Sequence, residues 1–382
     1  WAEVCPYNRM ERRGVAVGVV CAGSAYQHVV EALPDASVFK LGCTWPLPAR
    51  RLRDFAASVD ALYVVEEASE YLTEAVQALG IEVSAFPAGL PRDGELMPGL
   101  VRAAFGLEAP AHAEAPADLP ARPPALCPGC PHRLVFKELT RIKAIVTGDI
   151  GCYTLGNAKP LDAVDTCLCM GAGITMAQGF AVVEPQKKHV AFVGDSTFFA
   201  SGLTGVVNAV YNGHDFTLCV LDNATTAMTG SQPHPGTGVT LMGERRKPVS
   251  IEAVLKAVGF ECIVHADPLN LQQSIDAARE AIDFEGPSVI MFESPCVQLF
   301  KPAAPVVLDA QRCTGCKKCI TEIGCPGIGF DIDARGPKSG ERGQAFIDAG
   351  QCNGCGLCTQ VCPFDCISVV DTAFAVSEKK EA

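Results

Sequence analysis

No run of apolar residues in this 382-residue chain reaches the roughly 18 that a membrane-crossing helix needs. Its first residues, WAEVCPYNRMERR, also lack the charged and then apolar layout of a secretory leader. A cytoplasmic protein without a membrane span is the expectation. Net positive charge is missing as well: 31 Lys and Arg stand against 43 Asp and Glu, a formal charge of -12. That balance disfavours a phosphate-backbone partner, so nucleic acid is not expected as a ligand. An initial Met is absent too. The chain starts at Trp1, which fits a fragment or one piece of a longer polypeptide.

Apolar residues and cysteine are not in short supply. Hydrophobic residues make up 48 % of the chain, which at this length predicts two or three domains with cores of their own. Twenty cysteines are too many for packing alone, and their spacings are not those of a small secreted disulfide scaffold. Metal or cluster ligation is the better expectation.

From GVAVGVVCAGSAYQHVVEALP onward, a short apolar strand, a Gly-Ser turn and helical spacing follow one another, with ASVFKLG and ALYVVEE as further buried strands. This predicts an open α/β domain over residues 1–106. Residues 107–126, LEAPAHAEAPADLPARPPAL, have the Ala/Pro-rich composition of a semi-extended connector. A second α/β domain, 127–301, holds KAIVTGDIG, HVAFVGDS, FTLCVLDN and SVIMFES, apolar strands whose carboxyl ends run into Gly, Asp or Asn loops. That pattern suggests a parallel sheet, which binds ligands at those ends. Residues 302–382 are rich in Cys, Gly and Pro and carry one small motif twice.

In the second copy Cys352, Cys355, Cys358 and Cys362 follow C-x2-C-x2-C-x3-C and precede Pro363. This is the bacterial ferredoxin run, in which the fourth cysteine ligates the other cluster. The first copy has Cys313, Cys316, Cys319 and Cys325-Pro326, with five residues instead of three before its last cysteine. Crossover ligation then gives one four-iron cluster to Cys313, Cys316, Cys319 and Cys362, and a second to Cys352, Cys355, Cys358 and Cys325. Paired zinc knuckles are the competing reading, but the third cysteine at x2 and the Cys-Pro ending have no role in a tetrahedral zinc site. Upstream, CPGCPHR supplies Cys127 and Cys130 on one turn. Cys152 and Cys296, each just past a strand, are candidates for two further ligands, against a zinc site or free core cysteines. The cysteines at 5, 21, 43, 167, 169, 219, 262 and 366 are expected to be mostly core residues.

HVAFVGDS brings Gly194, Asp195 and Ser196 to a helix start, and FTLCVLDNAT brings Asp222 and Asn223, with Thr225 close behind. A metal on a diphosphate needs hard oxygen ligands from separate loops at one sheet edge. The Asp195 carboxylate, the Asn223 side-chain carbonyl and the Thr225 main-chain carbonyl would supply them to Mg2+. A helix N-terminus after Ser196 would favour the phosphate charge. Together these residues read as a thiamine diphosphate signature, against a plain turn for Gly-Asp alone.

KLGCTWPLP, CPGCPHR, TGDIGCYTLG, DTCLCMGAGITMAQG, GDSTFFASG, DNATTAMTGSQPHPG and the tail resemble the 2-oxoacid:ferredoxin oxidoreductases, particularly the large-subunit class acting on indolepyruvate and other arylpyruvates. The resemblance spans nearly the whole chain. It implies a transketolase C-terminal-like first domain, a thiamine diphosphate-binding second domain and a two-cluster ferredoxin-like tail of α+β type. It also implies a proximal four-iron cluster on Cys127, Cys130, Cys152 and Cys296. The implied reaction takes a 2-oxo acid and coenzyme A to an acyl-CoA and carbon dioxide, with electrons leaving through the clusters to ferredoxin. Nothing in the chain matches the family's pyrimidine-binding domain, which carries the activating Glu. The catalytic residue is therefore expected elsewhere, in another chain or segment, and a small partner subunit is expected too.

Thr229, Ser231 and Gln232 of MTGSQ are candidates for the thiazolium or substrate side, or for shaping their loop. His132 either touches phosphate or caps a turn, and His234 near the same mouth reads as structural. Trp45, Glu66 and Glu67 are assigned to fold and surface. Two other functions stay open: a non-oxidative thiamine-dependent decarboxylase, which has no use for the tail, and an electron-transfer subunit of a larger redox complex with a decayed thiamine site.

Overall fold

The computed structural model describes residues 1–108, 116–119 and 123–370, so residues 109–115 and 120–122 of the expected connector, and the end of the tail, lie outside the described residues. The chain divides into two compact units, Trp1–Pro120 and Ala121–Ala382.

The first unit is built on β1 (Arg9–Glu11), β2 (Val17–Ala22), β3 (Ser37–Leu41) and β4 (Ala61–Val65), with α1 (Ala25–Ala32), α2 (Ala49–Ala56), α3 (Tyr71–Gln77) and α4 (Pro98–Ala104) around them. The sheet order is β1-β3-β2-β4; β1 is antiparallel and the other three strands are parallel. Side chains of β2 alternate between faces as the pleat requires. Val19 and Cys21 join Val29 of α1 and Val101 of α4, whereas Val20 joins Phe55 of α2 and Val76 of α3. Both faces are thus covered, which is why the strands read as continuous apolar runs. Glu66 accepts hydrogen bonds from the N–H groups of Leu72 and Thr73 at the start of α3, and Glu67 accepts from Leu96 N–H. These two acids serve the fold, and Trp45 is exposed.

The second unit begins with α5 (Arg133–Arg141), β5 (Ile145–Gly148), β6 (Thr166–Cys167), α6 (Ala172–Val183) and β7 (His189–Gly194). A single helical run then comprises α7 (Asp195–Thr197), a π turn over Phe198–Gly202 and α8 (Leu203–Asn212). It is followed by β8 (Thr217–Asp222), α9 (Ile251–Val258), β9 (Cys262–Ala266), α10 (Leu271–Asp283) and β10 (Ser288–Glu293). The six strands are all parallel, in the order β6-β5-β7-β8-β10-β9. Val190, Phe192, Cys219, Leu221, Ile290 and Phe292 face α5 and α10. Ala191, Val193, Leu218, Val220, Val289 and Met291 face α6, α8 and α9. One-residue alternation along three central strands therefore builds two cores, the signature of a doubly covered sheet.

The tail consists of β11 (Val307–Leu308), α11 (Lys318–Ile323), β12 (Ile328–Asp331), β13 (Gln344–Ile347), α12 (Leu357–Val361) and β14 (Ile367–Ser368). β11 pairs with β14 and β12 with β13, both antiparallel. The sequence duplication thus becomes two interlocked halves, each a strand, a cysteine turn, a short helix and a strand. Leu134 of α5 packs with Ile323 and Leu357, fastening the tail to the large sheet through buried apolar contact.

Candidate functional site

Strand order sets β5, β7, β8 and β10 side by side, and their carboxyl ends carry Asp149, Asp195, Asp222 and Glu293. Asp149 is fully buried. Its carboxylate accepts from the N–H groups of Ile150 (2.8 Å), Gly171 (2.9 Å) and Gly194 (3.3 Å). Burial raises its pKa and the N–H donors from Gly171 and Gly194 hold the rise back. One side chain so fixes the ends of two strands and the start of α6. At Gly194 a Cβ would collide with the ring and hydroxyl of Tyr153. Tyr153 is itself buried, donates to the Leu221 carbonyl at 3.4 Å, and keeps its proton because burial, then Asp195, raise its pKa well above the ordinary tyrosine value.

Asp195 Oδ1 accepts from Ser196 N–H at 2.9 Å, while its buried Oδ2 has no aligned donor and faces His234 Nε2 at 3.0 Å. His234 Nδ1 accepts from Gly236 N–H at 3.2 Å, so a neutral ring carries its proton on Nε2, the nitrogen nearer Asp195. His234 thereby belongs to the site rather than to the loop alone. Burial, and then the Asp195 charge, push the pKa of Asp222 up to about 6, with Glu293 adding to the rise. Crowded carboxyl oxygens at one sheet edge are the donor chemistry that suits a hard divalent cation.

Asn223 and Thr225 are buried on either side of Ala224, whose φ of 60° is left-handed. Asn223 Oδ1 accepts from Thr225 N–H at 3.2 Å, and Thr226 Oγ1 and Ser196 Oγ are 2.8 Å apart. The loops after β7 and β8 are therefore joined, bringing Gly194, Asp195, Ser196, Asn223 and Thr225 into one neighbourhood. Thr229, Ser231 and Gln232 are not drawn into it. They are exposed, Thr229 Oγ1 lies 2.5 Å from Gln232 Oε1, and Thr226 N–H donates to the Gln232 carbonyl at 3.0 Å. His132 precedes α5 but its side chain makes no capping bond; it is buried, its Nε2 has no partner, and its ring stands edge-on to Tyr153 at 5.9 Å. Burial takes its pKa down to about 4 against the pull of Asp195, leaving the ring neutral.

Cys127 lies within electrostatic reach of Cys130, Cys152 and Cys296, and Cys152 within reach of Cys130 and Cys296. Burial first, then neighbouring thiols, raises the pKa of Cys130 (to about 12), Cys152 and Cys296. In the tail, burial and then Cys362, Cys316 and Cys313 raise Cys319 to about 11. Burial and then Cys355, Cys352 and Cys325 raise Cys355's neighbour Cys358, with Cys319 next in order. Cys325 from the first run shares a cavity with Cys352, Cys355 and Cys358 from the second. Among the described residues, no three His, Cys, Asp or Glu side chains close on one point as ligands of a single ion would. The tail sulfurs of the second group ring a cavity instead, an arrangement that suits a cluster with extent.

The three cysteine groups are contiguous. Asn353 Nδ2 donates to the Pro128 carbonyl at 3.0 Å, seating the CPGC turn against the second run. Arg133, 1 % exposed, donates to the carbonyls of Leu126, Cys127, Ile323 (3.2 Å) and Gly324 (2.5 Å). Its guanidinium lies within electrostatic reach of Cys325, Cys130, Cys127 and Cys355. Reading the sequence left Asp149, Tyr153 and Arg133 without a role. For Asp149 a signal existed, since TGDIG repeats the Gly-Asp strand end of VGDS. Of the cysteines expected in the core, Cys167 and Cys169 are exposed, because β6 is an edge strand and Cys169 follows it into a loop.

Residues 149–292 match the family model described as the thiamine pyrophosphate enzyme, C-terminal TPP binding domain, and residues 305–366 match the 4Fe-4S dicluster domain. The chain is 37 % identical to the indolepyruvate oxidoreductase subunit IorA of Methanothermobacter marburgensis over 91 % of its own length and 59 % of that protein. It is 36 % identical to the subunit of the same name from Pyrococcus abyssi, over 96 % of this chain and 62 % of that one. It spans about three-fifths of the length of these curated relatives. A solved 2-oxoglutarate:ferredoxin oxidoreductase from Magnetococcus marinus aligns with a TM-score of 0.40 and 19 % identity, over 47 % of this chain and 66 % of that one.

Proposed function

We propose that the chain, which belongs to the 2-oxoacid:ferredoxin oxidoreductase family, provides the diphosphate end of a thiamine site and the electron relay of an enzyme that oxidatively decarboxylates a 2-oxo acid. The acid is an arylpyruvate such as indolepyruvate, the acyl group leaves on coenzyme A, and ferredoxin takes the electrons; the IorA relatives' name supports the aryl substrate. The Asp195 carboxylate, the Asn223 side-chain oxygen and the Thr225 main-chain carbonyl hold Mg2+. Gly194 and Ser196 border the diphosphate at the start of the α7–α8 run, where the positive end of the helix dipole favours anionic charge. Thr229 and Gln232 lie on the exposed loop beside it, where a thiazolium or substrate would approach. Bound thiamine diphosphate would supply the electron sink for loss of carbon dioxide, and four-iron clusters would accept electrons singly.

Cys127, Cys130, Cys152 and Cys296 hold the proximal cluster, Cys352, Cys355, Cys358 and Cys325 the next, and Cys313, Cys316, Cys319 and Cys362 the outermost. The observation that carries this reading is the bonding of the cysteine groups to the strand-end loops and to each other. Cys296 N–H donates to the Asn223 carbonyl at 2.9 Å, and Arg133 and Asn353 tie the CPGC turn to the tail. The activating Glu and the pyrimidine half of the site come from another chain or segment, so these residues alone are expected to be inactive.

The test is anaerobic purification with the copurifying partners, assay of iron, sulfide and thiamine diphosphate, then ferredoxin reduction with a panel of 2-oxo acids and coenzyme A. Roughly twelve irons per chain and arylpyruvate-dependent reduction are expected. Aldehyde release without ferredoxin reduction would make the protein a non-oxidative decarboxylase. Iron without thiamine binding would make it an electron-transfer subunit.

A further inference from the structure

Five cysteines, rather than four, meet at the outer end of the tail. Cys313, Cys319, Cys362 and Cys366 are buried in one cluster, and Cys316 lies within electrostatic reach of Cys319. The ferredoxin spacing accounts for Cys313, Cys316, Cys319 and Cys362 and leaves Cys366 without a task. Yet the Cys366 Sγ is 3.2 Å from the Cys362 Sγ, in direct contact and largely buried. The groups acting on Cys366 are Cys362, Cys313 and Cys319, which are the same sulfurs that act on one another. A cysteine kept only for packing has no need of thiol neighbours on this side.

The backbone holds Cys366 in place. Its carbonyl accepts from Asp309 N–H at 2.7 Å, and the next residue, Ile367, pairs with Leu308 in the β11–β14 ladder. Cys362 instead sits at the end of α12, in a turn where Asp365 has a φ of 46°. The sulfur of Cys366 is thus presented from the residue that leads into β14, directly after the turn that presents Cys362, and the backbone N–H of Cys366 also bonds to the Cys362 sulfur.

We propose that Cys366 is a reserve ligand of the outermost cluster, able to take the coordination position of Cys362 when that sulfur is missing. The inference rests on the reading of Cys313, Cys316, Cys319 and Cys362 as that cluster's ligands. The exchange is redox-neutral: the iron–sulfur bond to residue 362 is absent, a bond from iron to Cys366 Sγ forms, and the thiol proton of Cys366 leaves to solvent. Coordination by the metal drives that deprotonation. The sulfur has at most 3.2 Å to cover, the present distance between the two atoms.

The experiment compares the full chain with Cys362→Ala, Cys366→Ala, the double variant and Cys313→Ala after anaerobic reconstitution, reading iron, acid-labile sulfide and the EPR spectrum of the reduced protein. Cys366→Ala and Cys362→Ala are each expected to keep the wild-type iron and sulfide. The double variant and Cys313→Ala, whose position has no spare, are expected to lose one cluster's worth, about four irons. Loss of one cluster in Cys362→Ala, to the level of the double variant, overturns the proposal. Loss in Cys366→Ala alone also overturns it, by making Cys366 the resident ligand. If Cys362→Ala does not accumulate, Cys362→Ser with and without Cys366→Ala gives the same comparison. A wild-type chain that takes up no iron would instead count against the proposed function, so the two failures are distinguishable.

Discussion

The backbone N–H of Cys296 donates to the carbonyl of Asn223 at 2.9 Å, joining the loop after β10 to the loop after β8. The first of these residues is a candidate cluster ligand and the second a candidate ligand of the diphosphate's cation. Because β8 and β10 are neighbours with parallel register, their carboxyl ends leave the sheet together and this bond costs neither loop an unusual path. Inner cluster and cofactor would thereby share one main-chain link.

That link separates two roles of Asn223, since the main-chain carbonyl survives side-chain truncation. Asn223→Ala should weaken Mg2+-dependent binding of thiamine diphosphate at least about tenfold, or ~1.4 kcal/mol, while iron content stays at the wild-type level. Calorimetric titration beside an iron assay checks both halves. Unchanged affinity would remove Asn223 from the cation's ligands.

Gly194 offers a test of packing at the same edge. A methyl group there meets the Tyr153 ring and hydroxyl, so Gly194→Ala should cost roughly 1–3 kcal/mol of stability. In a Tyr153→Ala background, itself destabilised by about 3–5 kcal/mol through the cavity it opens, the added cost of Gly194→Ala should shrink, because the atoms in collision are gone. Denaturant midpoints of the two variants decide the matter, and a fully stable Gly194→Ala would contradict the close approach.

The parallel sheet was legible because β7, β8 and β10 are buried on both faces and so read as unbroken apolar runs. The edge strands β6 and β9 were not: β6 has two residues, and β9 exposes His265 and is only partly buried, leaving little pattern to detect. In the candidate site, Asp195 and Asn223 were singled out as strand-end residues and the tail cysteines by their spacing, and the structure places each set close together. Asp149, His234 and Arg133 act through contacts with residues distant along the chain, such as Asp149 with Gly194 and Arg133 with Gly324. Local sequence does not name such partners, even at Asp149, where the repeated Gly-Asp strand end marks the residue itself.

The crowding of Asp195 and Asp222 carries a pH dependence in metal-free protein. The pKa of Asp222 is raised to about 6 by burial and by Asp195, whereas an unfolded Asp titrates near ~4. Between these values the folded state holds a proton that the unfolded chain has released, so this contribution to stability falls as pH rises through the window. Asp222→Asn lacks the effect. It should unfold like wild type near pH ~4 and be the more stable of the two above pH ~6, and Mg2+ should narrow the gap by stabilising the ionised pair. Parallel curves for the two proteins across that range would rule the crowding out.

Arg133 combines two functions that substitution can separate. Its guanidinium satisfies the carbonyls of Leu126, Cys127, Ile323 and Gly324, and a buried carbonyl without a donor costs about 1–3 kcal/mol. Arg133→Met should therefore destabilise the chain by several kcal/mol, on the order of 3 or more. Burial lowers the pKa of the guanidinium, but the nearby sulfurs of Cys325, Cys130, Cys127 and Cys355 work in the opposite sense and favour the cation. In the cluster-loaded protein a positive charge between two groups of thiolates stabilises the reduced state, so Arg133→Met should move the midpoint potentials of the proximal and adjacent clusters to more negative values. Lys at this position keeps the charge and lacks the planar fork. Arg133→Lys should consequently recover the potentials more fully than the stability. If Arg133→Met lowers the unfolding midpoint and leaves both potentials where they were, the residue is a strap between turn and tail and has no part in setting the relay.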